Sequence, residues 1–202
     1  MLNEIKVGPR KLDDGSTGEA RAGQFSEAII GQAHGKYYEA ASRHRLFVAA
    51  NQAATTWTVA LTTNYEGLVV ANPRMSSVNL SIIRVSFAVT LDMAASSHIG
   101  LFVGYDADAE CALAAAMPIY NTFLLGPHGQ ANADDDCDPL VLPTWVEAYM
   151  SAFTAADIHG TSPTVIDVDG AIIIPPGGYV GIGCLTATVA MGSIMWEEVP
   201  IY

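Results

Sequence analysis

The C-terminal stretch AIIIPPGGYVGIGCLTATVAMGSIMWEEVPIY, residues 171–202, decides the fold class. It reads as strand, turn, strand, turn, strand, because apolar runs alternate with Pro, Gly and Thr. Pro175–Pro176 end the first strand, since proline cannot donate a hydrogen bond to a ladder. Gly177–Gly178 permit the positive φ angles of a tight connection, and the side chains of Tyr179–Cys184 then alternate between two faces. The stretch predicts a hairpin-like corner of a β-sandwich.

The segment SIIRVSFAVTLDM, residues 81–93, shows the clearest alternation. One face carries apolar residues, namely Ile83, Val85, Phe87, Val89 and Leu91. The other face carries small or polar residues, namely Arg84, Ser86, Ala88 and Thr90. A period of two with one apolar face predicts a half-buried strand.

Four further segments predict strands: TTWTVAL (55–61), HIGLFVGY (98–105), MPIYNTFLL (117–125) and TWVEAYMSAF (144–153). The last of these also fits a helix. Short strands separated by Gly, Pro, Asn and Asp, with few helix signals, predict a mainly β chain folded as an antiparallel β-sandwich.

The N-terminal part of the chain differs from the rest. Residues 1–23 are polar, contain Gly and Pro, and show no periodicity, which predicts an extended arm. The next segment places apolar residues at a spacing of four, as one helix face would: Phe25, Ile29, Ala33, Tyr37 and Ala41. Gly31 and Gly35 interrupt that face, so a broken helix and an irregular segment both remain open. We therefore expect an arm and linker over residues 1–50 and a β-sandwich domain over residues 51–202.

Charge is unevenly distributed in a chain with 9 basic and 21 acidic residues. Every Lys and Arg lies at or before Arg84, so residues 85–202 carry acids and no base. A surface of this kind repels phosphate backbones and anionic membranes, because both are bound through Lys and Arg. We expect neither nucleic acid nor a membrane as a partner.

The cysteines and the N-terminus predict where the chain is made. Cys111, Cys137 and Cys184 are far apart and form no CxxC pair, which indicates reduced thiols rather than a disulfide framework or a zinc site. The N-terminus has no apolar signal-peptide core, so we expect no secretory export. No run approaches the roughly 20 apolar residues of a membrane helix.

Catalytic patterns are missing from the sequence. The five histidines are scattered, and GxSxG, Walker and GxGxxG motifs do not occur. Pairs of carboxylates that would suit a glycosidase arise by chance in a chain this acidic. Trp145 and Trp196 suit either sugar stacking or a core, and Glu197–Glu198 are expected to face solvent. We expect no enzyme and no cofactor.

Acidic clusters are the remaining candidates for a ligand site. DADAE supplies Asp106 and Asp108, and the predicted loop ADDDCDP supplies Asp134 and Asp136. Calcium takes six to eight oxygen ligands and suits such clusters, although none of them follows the EF-hand pattern. Solvated acidic loops explain the same residues without a metal.

Two blocks of the chain resemble a known family. GQFSEAIIGQAHGKYYEAASRHRLFVAANQA with TWTVALTTNYEGLVVANP, and then DGAIIIPPGGYVGIGCLTATVAMGSIMWEEVPI, resemble tailed-bacteriophage head decoration or cement proteins. Residues 92–165 lie outside the resemblance. The resemblance implies a jelly-roll-like β domain preceded by an N-terminal segment, and it implies no catalytic residue.

The family resemblance also implies a location and partners. A cement protein is made in the host cytoplasm and sits on the exterior of the capsid, where it bridges major capsid protein subunits as a homotrimer or dimer. We expect the arm to contact the capsid or a sister subunit through basic and aromatic residues: Lys6, Arg10, Lys11, Arg21, Phe25, Tyr37, Tyr38, Arg43 and Arg45.

Two alternatives remain. The first is a jelly-roll binding module for glycans or receptors, with or without calcium, because this fold class serves several functions. The second is an enzyme, either a cupin-like metalloprotein or a glycosidase, which would need histidines or carboxylates that converge in a pocket.

Overall fold

The computed structural model describes residues 35–58, 65–90, 97–105, 117–137, 143–152 and 164–201. By its internal contacts the chain divides into two units, Met1–Tyr38 and Glu39–Tyr202. Within the described residues, no helix is long and apolar enough to cross a membrane.

Strands dominate the described residues, in agreement with the predicted mainly β class. The elements are α1 Tyr38–Ser42, β1 Leu46–Ala50, β2 Thr55–Trp57, β3 Tyr65–Ala71, β4 Val78–Val89, β5 Ser97–Tyr105, β6 Ile119–Asn121, β7 Asn132–Cys137, β8 Thr144–Ala152, β9 Thr164–Ile174, β10 Gly178–Cys184 and β11 Thr188–Pro200. Of the segment 144–153, for which a strand and a helix both fit the sequence, residues 144–152 form a strand.

The strands form two antiparallel sheets that pack against each other as a β-sandwich. One sheet has the order β6-β1-β11-β4-β9, with β2 also paired to β11. The other sheet has the order β7-β3-β10-β5-β8. The predicted β-sandwich is therefore confirmed.

The pairing follows a nested scheme. β1 pairs with β11, β3 with β10, β4 with β9, and β5 with β8, so the first half of the domain pairs with the second half in reverse order. A long hairpin folded over in this way, with its pairs alternating between two sheets, is the jelly-roll arrangement. β6 and β7 lie in the connection between β5 and β8. β6 is an edge strand next to β1 in one sheet, and β7 is an edge strand next to β3 in the other.

A β-bulge at Ile83 interrupts the alternation of β4, while the predicted faces hold for Arg84, Val85, Ser86 and Phe87. The pairing of β4 with both neighbours slips at Ile83, which has no partner in either ladder. Alternation therefore changes phase there: Leu80 and Ile82 point into the core before the bulge, and Val85 and Phe87 do so after it. A single inserted residue reverses which positions face inward, and strict alternation along one strand could not predict it.

The PPGG stretch connects the two sheets rather than forming a hairpin, because β9 and β10 belong to different sheets. The Gly178 N–H donates to the Pro175 carbonyl at 2.9 Å, and Gly177 has a φ of 85°. Proline at the second position and a left-handed glycine at the third are the features of a type II turn. Asn72 fixes the corner, since its Nδ2 donates to the carbonyls of Val78 and Ile174.

The main core lies between the sheets. It includes Trp57, Trp196, Leu80 and Ile182, each with no exposed surface. Of the two roles that fit Trp196 in the sequence, sugar stacking and a core position, the structure shows the core position. Trp145 is only partly buried, beside the ring of His98 at a centroid distance of 4.8 Å.

A second buried cluster lies on the outer face of the five-stranded sheet, where Tyr65, Phe102 and Tyr179 meet. The rings of Phe102 and Tyr179 lie over Gly181 and Gly104, which are their direct partners across β5 and β10. Any side chain at these two glycines would overlap the ring above it. Gly181 of GYVGIG and Gly104 of β5 therefore each supply space for an aromatic ring, and β10 is buried on both faces.

Candidate functional site

An exposed apolar turn follows β6 and stands out from the rest of the surface. Leu124 is 85% exposed and Leu125 is fully exposed, and the neighbouring Phe123 and Tyr120 are each about half exposed. Scattered apolar residues are normal on a protein surface, whereas adjacent exposed apolar residues are a feature found at interaction sites.

The turn has a defined hydrogen-bonded geometry. The Gly126 N–H donates to the Phe123 carbonyl at 2.8 Å, and Leu125 takes a left-handed φ of 65°. Left-handed backbone costs a residue with a side chain about 1 kcal/mol or more, and Gly or Asn is the usual occupant. Leu125 therefore occupies a position where both the backbone conformation and the exposure to water are unfavourable for leucine. This combination is the strongest sign of function on the described surface.

Asn121 holds the base of the turn. Its Nδ2 donates to the carbonyls of His44 at 3.0 Å and Pro127 at 3.2 Å, and its Oδ1 accepts from the Phe123 N–H at 2.9 Å. The Phe123 ring meets the His44 ring edge to face, with centroids 4.6 Å apart. These contacts fix the turn against the segment that enters β1.

A cavity of about 400 Å³ lies between residues of the edge strands β6 and β7 and the segments next to them in the chain. The Met117 N–H donates to the Ala133 carbonyl at 2.8 Å and joins the two sides. The cavity lining is largely apolar. Its residues come before and after the turn in the sequence: Met117, Pro118, Ile119, Tyr120, His128, Gly129, Ala131, Asn132 and Ala133.

The buried Glu198 supports one wall of this cavity and corrects a prediction. Glu198 was expected to face solvent but is only 6% exposed. Its Oε1 accepts hydrogen bonds from the backbone N–H groups of Gln130 at 2.7 Å and Ala131 at 3.1 Å. Because β11 alternates without interruption, Glu198 points inward on the same side as Trp196. The two N–H groups stabilise its carboxylate in this buried position.

Charge is missing from this part of the chain. Residues 117–133 include no Lys, Arg, Asp or Glu, although the whole chain carries a net charge of −12. The turn and the cavity-lining residues thus carry no charged side chain of their own, and we call them together the apolar patch. It comprises the turn Phe123–Gly126 and the cavity-lining residues on either side of it.

Most of the predicted arm residues lie outside the described residues: Lys6, Arg10, Lys11, Arg21 and Phe25. Of those described, Tyr37 lies under the Lys36 ammonium at 5.2 Å, and Tyr38 is about half exposed. Arg43 pairs with Glu39 at 2.6 Å on the exposed face of α1. The contact role of these residues remains a prediction.

The predicted arm and linker segment, residues 1–50, includes a strand at its end. Residues 46–50 form β1, which pairs with β11 on one side and β6 on the other. Arg45 also takes part, since its carbonyl accepts from the Glu198 N–H at 2.8 Å. The sequence LFVAA is too short to show its partners, which lie far away in the chain.

The calcium candidates are separated by the structure. Asp106 and Asp108 lie outside the described residues, whereas Asp134 and Asp136 lie in β7 and not in the predicted loop. Asp134 is buried, and its Oδ1 accepts from the Asp136 N–H at 2.8 Å. Among the residues described, no group of three His, Cys, Asp or Glu side chains is arranged to hold a metal.

The buried thiol and phenol of the core are held neutral. Burial raises the pKa of Cys184 to about 11, and burial, with a smaller effect of Cys184, raises the pKa of Tyr65 well above its usual value. The Tyr65 hydroxyl donates to the Ile182 carbonyl, and the Cys184 thiol donates to the carbonyl of Thr58 at 3.4 Å. Both groups thus serve packing and hydrogen bonding, since a protonated thiol is a poor nucleophile.

Sequence reasoning missed the apolar turn, because MPIYNTFLL reads as one continuous strand. The structure ends that strand at Asn121. A usable signal was present in GPHG, since Gly126–Pro127 mark a turn directly after the leucines.

Comparison with known proteins gives no relative: no family model, no curated protein and no solved structure matches the chain.

Proposed function

We propose that the protein is a virion structural protein that decorates the outside of a phage head and bridges major capsid protein subunits. The observation that carries the proposal is the apolar patch, with its leucine turn held in a strained and exposed conformation. Exposed apolar surface of this kind indicates contact between proteins, which is the main task of a cement protein.

The jelly-roll arrangement supports the proposal, because viral capsid domains often use it. The fold alone does not decide function, since lectins and cupins share it. The charge distribution adds support: an acidic body suits the exterior of a shell, away from packaged nucleic acid.

The position of β1 supports a mechanical role. β1 follows directly after the N-terminal segment and is hydrogen-bonded on both sides within its sheet. A pull on the N-terminal segment would load both ladders along the strand direction, so several hydrogen bonds would have to break together. This geometry suits a protein that transmits tension between shell subunits.

A sedimentation experiment tests the proposal. The full chain is mixed with shells of the major capsid protein encoded in the same genome, and the amount that co-sediments is measured with the rupture temperature of the shells. We expect saturable binding and a higher rupture temperature. Absence of binding, or binding without any change in rupture temperature, would contradict the proposal.

Charge-reversed full-length chains test the predicted role of the basic residues separately. Replacing Lys6, Arg10, Lys11 and Arg21 by Glu should weaken co-sedimentation, whereas Arg74→Glu, at an exposed position in the β domain, serves as the control. Equal binding by both variants would show that the N-terminal basic residues do not attach the protein.

The alternative function is a glycan- or receptor-binding module. The exposed Tyr120 and Phe123 at a loop end favour it, because aromatic rings stack on sugars. Sugar sites also need polar groups that fix orientation, and residues 117–133 provide no carboxylate. Binding to a glycan array that is lost in Tyr120→Ala would favour this alternative over the cement proposal.

A further inference from the structure

We propose that His44 is a positioning residue that holds the leucine turn, Phe123–Gly126, in its exposed conformation. The effect on the turn concerns this chain alone, whereas its consequence for binding rests on the proposed function.

His44 ends the short helix α1 in a conformation that normally selects glycine. Its N–H donates to the Ala41 carbonyl at 2.9 Å, and the Arg45 N–H donates to the Ala40 carbonyl at 3.0 Å. These two bonds form a Schellman motif, in which the residue after the helix has a left-handed backbone and is usually Gly. The φ of His44 is 59°, as the motif requires. The helix end by itself would therefore favour glycine at this position.

The histidine ring makes a contact that glycine could not make. It meets the Phe123 ring edge to face, with the ring centroids 4.6 Å apart. The Nδ1 atom of His44 is buried and has no hydrogen-bond partner in the part of the chain that the structure describes. The described contact of the ring is thus an aromatic one, directed at the turn.

Histidine is the residue type that satisfies both requirements of this position. Most residues with a side chain avoid a left-handed backbone, whereas Asn, Asp and His are several-fold enriched there. Of these three, only His carries an aromatic ring. The need for a ring against Phe123 therefore explains why histidine, rather than glycine or asparagine, follows α1.

A hydrogen-bonded link joins His44 to the turn as well. The His44 carbonyl accepts from Asn121 Nδ2 at 3.0 Å, and Asn121 Oδ1 accepts from the Phe123 N–H at 2.9 Å. Among the described residues, His44, Leu125 and Asp169 are the non-glycine residues with positive φ. Two of the three thus belong to one connected set of contacts. Unfavourable backbone conformations persist only where the surroundings hold them, and they cluster at functional sites.

Three substitutions at His44 separate the ring from the helix end. His44→Gly and His44→Asn retain a residue that suits the left-handed backbone but remove the ring, so the melting temperature should stay within a few degrees of the wild type while the turn loosens. His44→Phe retains a ring but suits the backbone less, so the melting temperature should fall while the turn stays in place. A purely structural role at the helix end would give no such separation between stability and the turn.

Amide hydrogen exchange of the full chain, measured by NMR, reports on the turn directly. The Gly126 N–H donates to the Phe123 carbonyl, and the loss of one aromatic pair should make it exchange roughly three- to tenfold faster in His44→Gly and His44→Asn. Its exchange should stay near the wild-type rate in His44→Phe. The Gly178 N–H, in the turn between β9 and β10, is the internal control and should exchange equally in all variants.

Asp169→Gly is the matched control variant, because it replaces another left-handed residue by glycine in a different part of the sandwich. It should leave the exchange of the Gly126 N–H unchanged. Unchanged exchange in His44→Gly, or an equal increase in Asp169→Gly, would overturn the inference.

Co-sedimentation with shells of the major capsid protein distinguishes this inference from the proposed function. If both are right, His44→Gly binds the shells more weakly than the wild type, and His44→Phe binds them as the wild type does. Faster exchange at Gly126 with unchanged co-sedimentation would support the role of His44 and contradict the proposed use of the turn in binding.

Discussion

Replacing Gly181 by Ala should destabilise the domain strongly, although alanine normally suits a strand better than glycine. Glycine in a strand interior costs roughly 0.5–1 kcal/mol relative to alanine, because it loses more backbone freedom on folding. At this position the new Cβ would lie 2.8 Å and 2.9 Å from the Cε atoms of Phe102, and closer still to Cζ. We therefore expect Gly181→Ala to lower the stability, although strand propensity alone would predict an increase.

The size of the effect follows from the surroundings of Phe102. Carbon atoms in contact normally lie about 3.5–4.0 Å apart, so the ring would have to move by about 1 Å or more. Phe102 is fully buried, and its ring meets those of Tyr65, Trp145 and Tyr179 at centroid distances of 5.0, 6.1 and 6.5 Å. Because all three rings block its movement, we expect a loss near the top of the range for overpacking, about 2–3 kcal/mol.

Urea unfolding followed by fluorescence measures this loss, which corresponds to a decrease of about 5–10 °C in melting temperature. Gly35→Ala is the control, since a Cβ at Gly35 would meet no atom within 4 Å. Phe102→Leu removes the ring atoms that clash, so the combined variant should lose less stability than the two single changes added together. A Gly181→Ala protein within about 0.5 kcal/mol of the wild type would refute the packing argument.

Three further predictions concern buried or strained groups. Folding keeps Cys184 and Tyr65 neutral by raising both pKa values, so the free energy of unfolding should be constant up to about pH 9 and fall as the pH rises through about 11, in urea titrations at a series of pH values. A flat profile in that range would contradict their burial. Glu198→Ala should cost about 2–3 kcal/mol because two backbone N–H groups lose their acceptor, whereas the same change at Glu197 should cost little. Leu125→Asn should raise the melting temperature of the dilute protein slightly, since Asn tolerates the left-handed backbone, and a lower melting temperature would show that the turn is not strained.

The fold class was readable from the sequence wherever local patterns decide it. Alternation in β4 and β11, and the proline–glycine stretch between β9 and β10, mark strands and a turn through residues that are close together in the chain. The acidic character of the C-terminal part was equally evident, because it follows from counting the charged residues in the sequence.

Two features could not be predicted from the sequence because they depend on residues far apart in the chain. The phase change at Ile83 follows from its ladders with β9 and β11, about 85 and 110 positions away in sequence. The burial of Glu198 depends on the backbone of Gln130–Ala131, which supplies the hydrogen bonds that make an inward carboxylate tolerable.

The apolar patch shows the same division most clearly. The sequence by itself determined that residues 117–125 are mostly apolar and that Gly126–Pro127 end the run. Only the tertiary structure decided that Leu124 and Leu125 point to solvent while Ile119 packs against the core. The reason is that β6 obtains its partner from β1, some 70 residues earlier, and this pairing ends at Asn121, where the side chain turns the backbone outward.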